Sequence, residues 1–148
     1  MKGYWNQAAA NAETLMDDGL MRTGDIGYFD SDGHVFLVDR LKELIKYNAR
    51  QVAPAELEDI IQSHPAVSDA TVVGAPDEAA GEIPMAIVVR RDNATLDADE
   101  LMQYVAARVA PHKKVRAVEF VDHIPKSPTG KILRRVLKDR VRARQADA

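Results

Sequence analysis

The sequence has no cysteine. That excludes a disulfide framework, a thiolate nucleophile and a cysteine-ligated zinc centre. No apolar run approaches the roughly eighteen residues that a membrane-spanning helix needs. The N-terminal stretch carries acids and lacks an apolar core of signal-peptide length, so a secretory signal is not expected. Aromatic residues make up only 5% of the chain, too few for the interleaved stacking platform of single-strand nucleic-acid binders. The net charge of -3 adds no general attraction to nucleic acid. Of the four histidines, His34, His64, His112 and His123, no two stand at metal-ligand spacing on one helix, so all read as structural or surface residues. There is no G-x-S-x-G elbow, internal repeat or low-complexity tract. The cytosol is the default compartment, and the ending Ala146-Asp147-Ala148 is not a peroxisomal signal of the SKL type.

What is present is an ordinary globular balance, 46% hydrophobic and 29% charged over 148 residues. That length suits one domain, or a small domain with a piece of another. Residues 7–16 are Ala-rich and weakly helical. Two β-prone runs, 26–29 and 35–38, flank Asp30-Ser31-Asp32-Gly33 and read as a hairpin. The second run is continuously apolar, which predicts burial on both faces. Pro54 suits the first position of a helix whose apolar face is Leu57, Ile60 and Ile61, stopped by His64-Pro65. Residues 67–75 and 84–89 read as strands joined by a loop over 76–82. Asp97 looks like an N-cap, with Glu100 three residues on, for a helix carrying Leu101, Val105 and Val109 and ended by Pro111. Residues 115–121 form a third strand, 124–130 a loop, and Leu133, Val136, Leu137 and Val141 a last amphipathic helix. From Lys42 the order helix, strand, strand, helix, strand, helix predicts a small α+β domain with helices packed on a short sheet. The segment before it follows a different logic.

The C-terminal stretch is basic: Lys131, Arg134, Arg135, Lys138, Arg140, Arg142 and Arg144 stand against Asp139 and Asp147. This is either a solvated helix face or a surface that meets phosphate. Gly130-Lys131 is not the end of a P-loop, because Pro125 stands where the first glycine belongs and Ile132 follows the lysine. A lysine leaving a Pro/Gly-bound loop at a helix start nonetheless suits an anion.

Three ordered stretches carry a family resemblance. They are Arg22-Thr23-Gly24-Asp25; then residues 39–46, Asp-Arg-Leu-Lys-Glu-Leu-Ile-Lys, with Gln51-Val52-Ala53-Pro54; then residues 125–134, Pro-Lys-Ser-Pro-Thr-Gly-Lys-Ile-Leu-Arg. The chain resembles, over nearly its whole length, the C-terminal part of adenylate-forming enzymes, nearest in wording to the 4-coumarate–CoA ligase and firefly luciferase branch. The resemblance implies ATP-dependent conversion of a carboxylic acid to acyl-AMP, then to a CoA thioester. It also implies a small mobile C-terminal domain, residues 42–148, preceded by a hairpin remnant of the large AMP-binding domain, residues 1–41. Lys42 would be the hinge between the two poses of the small domain.

By the same resemblance Asp25 accepts hydrogen bonds from the ribose hydroxyls of ATP or AMP, and Arg40 also contacts the ribose. Lys131 bridges the carboxylate and the α-phosphate during adenylation. Lys46 and Gln51 line the nucleotide site or reach the adenylate in the other pose. Asn48 and Ala49 occupy the pair where the branch has Lys-Gly and places CoA contacts, with Arg50 as a replacement charge. The acyl pocket, the phosphate loop and the Mg²⁺ ligand would lie on the large domain, so that domain, in cis or in trans, is the implied partner. Activity from this chain alone is not expected. A non-catalytic regulatory or interaction module, or a subunit of a split ligase, is the alternative reading.

Overall fold

The computed structural model describes residues 1–146. The chain divides into two compact units, residues 1–42 and the part from Glu43 onward.

In the first unit a short helix, α1 (Ala8–Thr14), is followed by the antiparallel strands β1 (Asp25–Phe29) and β2 (Val35–Arg40). The Asn11 side chain ties the N-terminal segment to α1 by accepting from the Tyr4 N–H at 2.6 Å and donating to its carbonyl at 3.0 Å. The Asp30 carboxylate closes the hairpin turn by accepting the N–H groups of Asp32 and His34, each at 2.9 Å. The His34 N–H in particular holds the Asp30 pKa below the usual carboxylate range. Tyr28 and Phe36 stack across the strands at 5.2 Å.

The expected burial of residues 35–38 is not met. Val35, Phe36, Leu37 and Val38 are all exposed, Leu37 at 73%. A continuous apolar run is buried on both faces only where something packs on each, and a two-stranded ribbon cannot supply that itself.

The second unit is the expected α+β arrangement of helices on a short sheet. Its elements are β3 (Ile45–Tyr47), β4 (Arg50–Val52), α2 (Pro54–Gln62), β5 (Val67–Asp77), β6 (Gly81–Arg90), α3 (Ala98–Ala106), β7 (Ala117–Phe120) and α4 (Arg134–Ala146). The sheet runs β4-β3-β6-β5, with β7 parallel to β6, so β5 is an end strand. Alternation along β5 and β6 makes two cores. Val67, Ala70, Val72, Ala86 and Val88 face Leu57 and Ile61 of α2 and Leu101 and Val105 of α3. Val73, Ala75 and Ile87 face Ile124 and the α4 residues Leu137 and Val141.

Local signals behave as read at two helix starts. Pro54 opens α2, where its missing N–H has no helical partner to lose. Asp97 caps α3, its carboxylate accepting the Glu100 N–H at 2.7 Å. Four boundaries differ. The loop expected at 76–82 shrinks to 78–80, because Pro76 and Asp77 pair with Glu82 and Gly81 and the Asp77 carboxylate takes the N–H groups of Ala79 and Ala80. Helix α3 stops at Ala106, so Val109 lies beyond it and Pro111 opens a 3-10 turn, Pro111–Lys113. The third strand is shorter, Ala117–Phe120. The β3–β4 hairpin precedes the first expected helix and adds two strands to the order.

That hairpin turns on Asn48 and Ala49, with φ of 46° and 60°. Both residues of such a two-residue turn sit in the left-handed region, which Asn tolerates and Ala resists. Ala49→Gly is therefore expected to stabilise the unit by about 1 kcal/mol. A thermal melt should show a rise in Tm of about 4 °C or more; an unchanged or lower Tm would mean that the turn is not strained.

Candidate functional site

Asp25 and Arg40 stand fifteen positions apart in the sequence, but the β1–β2 register sets them opposite one another. Arg40 Nε lies 3.5 Å from Asp25 Oδ1. Thr23 Oγ1 accepts the Asp25 N–H at 3.2 Å, and the Leu41 N–H closes the ladder on the Gly24 carbonyl at 2.8 Å. The pair is solvent-exposed and adds little stability. Its carboxylate is acceptor-only and its guanidinium donor-only, so together they can take both ends of a polyhydroxylated ligand. Lys42 is exposed and is the last residue of the first unit.

In the second unit Lys46 and Gln51 are register partners on β3 and β4, and both side chains are exposed. The Lys46 N–H donates to Glu82 Oε2 at 2.9 Å, which fixes the strand beside β6. Asn48 and Ala49 form the exposed tip, its N–H of Asn48 held by the Ala80 carbonyl at 3.0 Å. The tip borders a hollow of about 450 Å³ lined by Tyr47, Asn48, Arg50, Pro111, His112 and Arg116. Arg50 Nη1 is 3.4 Å from His112 Nδ1, and the Arg116 guanidinium lies 3.8 Å over the Tyr47 ring. The sequence placed Arg50 here, pointed to His112 only as a structural or surface residue and gave no sign of Arg116; both sit more than sixty residues from Arg50 and join it only through the fold.

Lys131 lies on a tight turn between β7 and α4. Lys126 and Ile132 pair as an isolated bridge, the Ser127 N–H donates to the Lys131 carbonyl at 2.8 Å, and the Leu133 N–H donates to the Pro125 carbonyl at 2.9 Å. Inside, the Gly130 N–H donates to the Ser127 carbonyl at 2.9 Å and the Lys131 N–H to Ser127 Oγ at 3.1 Å. Pro128 stands at the second position of this turn and Gly130 takes φ of 80°, which explains why a Pro and a Gly occupy those places. The Lys131 side chain is exposed and makes no ion pair among the described residues.

Its basic neighbours are committed. Arg134 pairs with Glu58, Lys138 with Glu43, and Arg140 and Arg144 with Glu119; Lys126 pairs with Asp69. The basic tail is thus neither a plain solvated face nor a continuous phosphate surface. It is a helix largely ion-paired to the sheet and its flanks, with Arg142, and Lys131 just before the helix, left unpaired among the described residues. Of the histidines, His64 is buried edge-on against Tyr104, with ring centroids 4.7 Å apart.

Residues 56–131 match the family described as the AMP-binding enzyme C-terminal domain. The chain belongs to that family. The matched region begins in α2 and ends on Lys131. The chain is 55% identical over 138 residues to 4-coumarate–CoA ligase-like 6 of Arabidopsis thaliana, covering 93% of this chain and 24% of that protein. It is 58% identical over 137 residues to a rice protein, 4-coumarate–CoA ligase-like 6 of Oryza sativa subsp. japonica, covering 93% and 23%. It therefore spans about a quarter of the length of these relatives. Among solved structures it superposes on ATP-bound MatB from Rhodopseudomonas palustris with a TM-score of 0.88 at 33% identity, covering 94% of this chain and 28% of that one. It also superposes on o-succinylbenzoate CoA synthetase from Bacillus subtilis in complex with an acyl-adenylate intermediate, with a TM-score of 0.86 at 37% identity and the same coverage. The architecture is thus that of C-terminal domains of adenylate-forming enzymes. No helix among the described residues is long and apolar enough to cross a membrane.

Proposed function

We propose that this chain is the C-terminal portion of an ATP-dependent acyl- or aryl-CoA ligase and that it supplies the adenylation lysine. The observation that carries the reading is Lys131: an ammonium without an ion partner among the described residues, on a turn braced by its own backbone, in a family whose solved relatives include ATP-bound and acyl-adenylate-bound enzymes. In the first half-reaction a carboxylate oxygen bonds to the α-phosphorus of ATP and the bond to the β-phosphate bridge breaks, releasing pyrophosphate. Negative charge gathers where the two anions meet, and the Lys131 ammonium stabilises it there. Asp25 and Arg40 hold the ribose. In the second half-reaction the CoA sulfur attacks the acyl carbonyl and AMP leaves, with the thiol proton lost on the way.

Lys42 is the proposed hinge, and Lys46 and Gln51 meet the nucleotide or adenylate. At the Asn48-Ala49 tip, Arg50 and Arg116 provide the charge for CoA phosphates that the absent lysine does not. The acyl pocket and the Mg²⁺ ligand belong, on this reading, to the large domain, with residues 1–41 as its last segment. The exposed Trp5, Phe29 and Leu37 support that placement, since an apolar face of this kind is ordinarily covered. The same face would serve a split ligase whose large domain is a separate chain.

The test is carboxylate-dependent ATP–pyrophosphate exchange by the longer ligase over a panel of aryl and acyl acids. Asp25→Ala is expected to raise the KM for ATP about 10- to 100-fold, the worth of one or two charge-assisted hydrogen bonds. An unchanged KM would remove Asp25 from the nucleotide site, and no exchange from the unsubstituted enzyme with any acid would overturn the reading.

A further inference from the structure

The Lys131 turn is fastened at its entrance to β5 directly and at its exit through Glu58 of α2, which is itself bonded to the same stretch of β5. At its exit stands Arg134, the first residue of α4, whose guanidinium meets Glu58 of α2. Arg134 Nη2 lies 2.7 Å from Glu58 Oε1 and 2.5 Å from Oε2. Glu58 Oε1 also accepts from Thr71 Oγ1 and from the Val72 N–H, both at 2.8 Å. At its entrance Lys126 Nζ lies 2.6 Å from Asp69 Oδ2. Asp69, Thr71 and Val72 are near neighbours on β5, the end strand of the sheet.

Glu58 is an odd residue for its place. Helix α2 packs on the Val72 face of the sheet and α4 on the opposite, Val73 face. At 8% exposure Glu58 is all but buried, yet it is charged. Its carboxylate sits at the edge of β5, caps an edge N–H and reaches the guanidinium on the other side. A well-packed apolar residue would serve plain helix–sheet packing as well or better, because removing a carboxylate and a guanidinium from water is costly. What the ion pair adds is a fixed position: one guanidinium nitrogen, Nη2, is shared between both oxygens of a carboxylate that is itself held by Thr71 and Val72. That geometry is imposed three residues after Lys131.

We infer that Glu58 and Arg134 are positioning residues for Lys131, and that Lys126–Asp69 completes the clamp. The two ion pairs hold the intervening turn on β5, so that the one uncommitted ammonium on the turn is presented from a fixed base. The inference rests on the reading of Lys131 as the adenylation lysine. A pre-positioned group is where catalytic advantage arises, and small misplacements are expensive in rate.

The test uses the longer ligase and measures its half-reactions separately, acyl-AMP formation from acid and ATP, and thioester formation from supplied acyl-AMP and CoA. Glu58→Gln keeps the size and an acceptor oxygen for Thr71 and Val72 but removes the charge. It is expected to slow acyl-AMP formation about tenfold or more and to leave thioester formation unchanged. Arg134→Lys should act in the same direction. The double variant Glu58→Gln with Lys131→Ala should be no slower in adenylation than Lys131→Ala alone, since a positioning residue has nothing left to position. Asp69→Asn, at a half-buried position where the amide oxygen still accepts the Ala70 N–H, gives a second readout, with a fall in adenylation alone of about two- to fivefold.

Equal losses in both half-reactions would overturn the inference, leaving Glu58 a structural residue only. So would unchanged adenylation in Glu58→Gln and Asp69→Asn beside a disabled Lys131→Ala, with the role of Lys131 intact. If Lys131→Ala itself adenylates normally, the role of Lys131 fails first and the clamp with it.

Discussion

Replacing Lys131 with alanine is expected to slow acyl-AMP formation about 10²- to 10³-fold, the usual cost of losing one charge-stabilising donor at a reacting centre. The structure makes the side chain easy to interpret. Its ammonium has no ion pair among the described residues to lose, and the turn beneath it is held by backbone and Ser127 contacts that alanine keeps. Stability should therefore move by less than about 0.5 kcal/mol, as for other exposed substitutions. On the proposed role, thioester formation from supplied acyl-AMP should be unaffected, because the phosphate bond at which Lys131 would act is already broken. Arg142→Ala is the matching control: Arg142 is equally exposed, unpaired among the described residues and outside the turn, and its loss should leave both steps unchanged. Pyrophosphate exchange and single-turnover thioester formation give the two rates. A Lys131→Ala enzyme that adenylates at the parent rate would remove Lys131 from the chemistry.

Much of this site was legible in the sequence where the backbone needs special residues. Pro128 and Gly130 announce the lysine turn, Pro54 the start of α2, and Asp97 the cap of α3, each through a steric or hydrogen-bonding demand that few residues satisfy. The β3–β4 hairpin was not legible for the complementary reason. Its strands are three residues long, too short for a period-two pattern, and its turn uses Asn48-Ala49 where a glycine would have signalled the positive φ. Residues 35–38 misled because an apolar run reports what a strand could bury, while burial depends on what packs against it. Glu58 was invisible as a buried residue: it follows Leu57 on a helix, and its partners Thr71, Val72 and Arg134 are 13 to 76 residues away. Pairings across such separations are made by the topology and leave no local pattern.

The largest effect is expected from removing the second unit outright. It carries both apolar cores, the β3–β4 tip and Lys131, while Asp25 and Arg40 lie in the first unit. On the proposed roles, a ligase shortened to end at Lys42 should keep the ribose contacts of Asp25 and Arg40 and lose the ammonium proposed to stabilise the adenylation transition state. Lost binding from Lys46 and Gln51 would add to the loss of Lys131. The most direct measurement is carboxylate-dependent ATP–pyrophosphate exchange by the full-length ligase and by the same protein ending at Lys42, with AMP binding measured on both. The expected result is exchange reduced by at least about 10²-fold in the shortened protein, with AMP still bound. Exchange at the full-length rate without the second unit would contradict the claim that this unit supplies the adenylation chemistry.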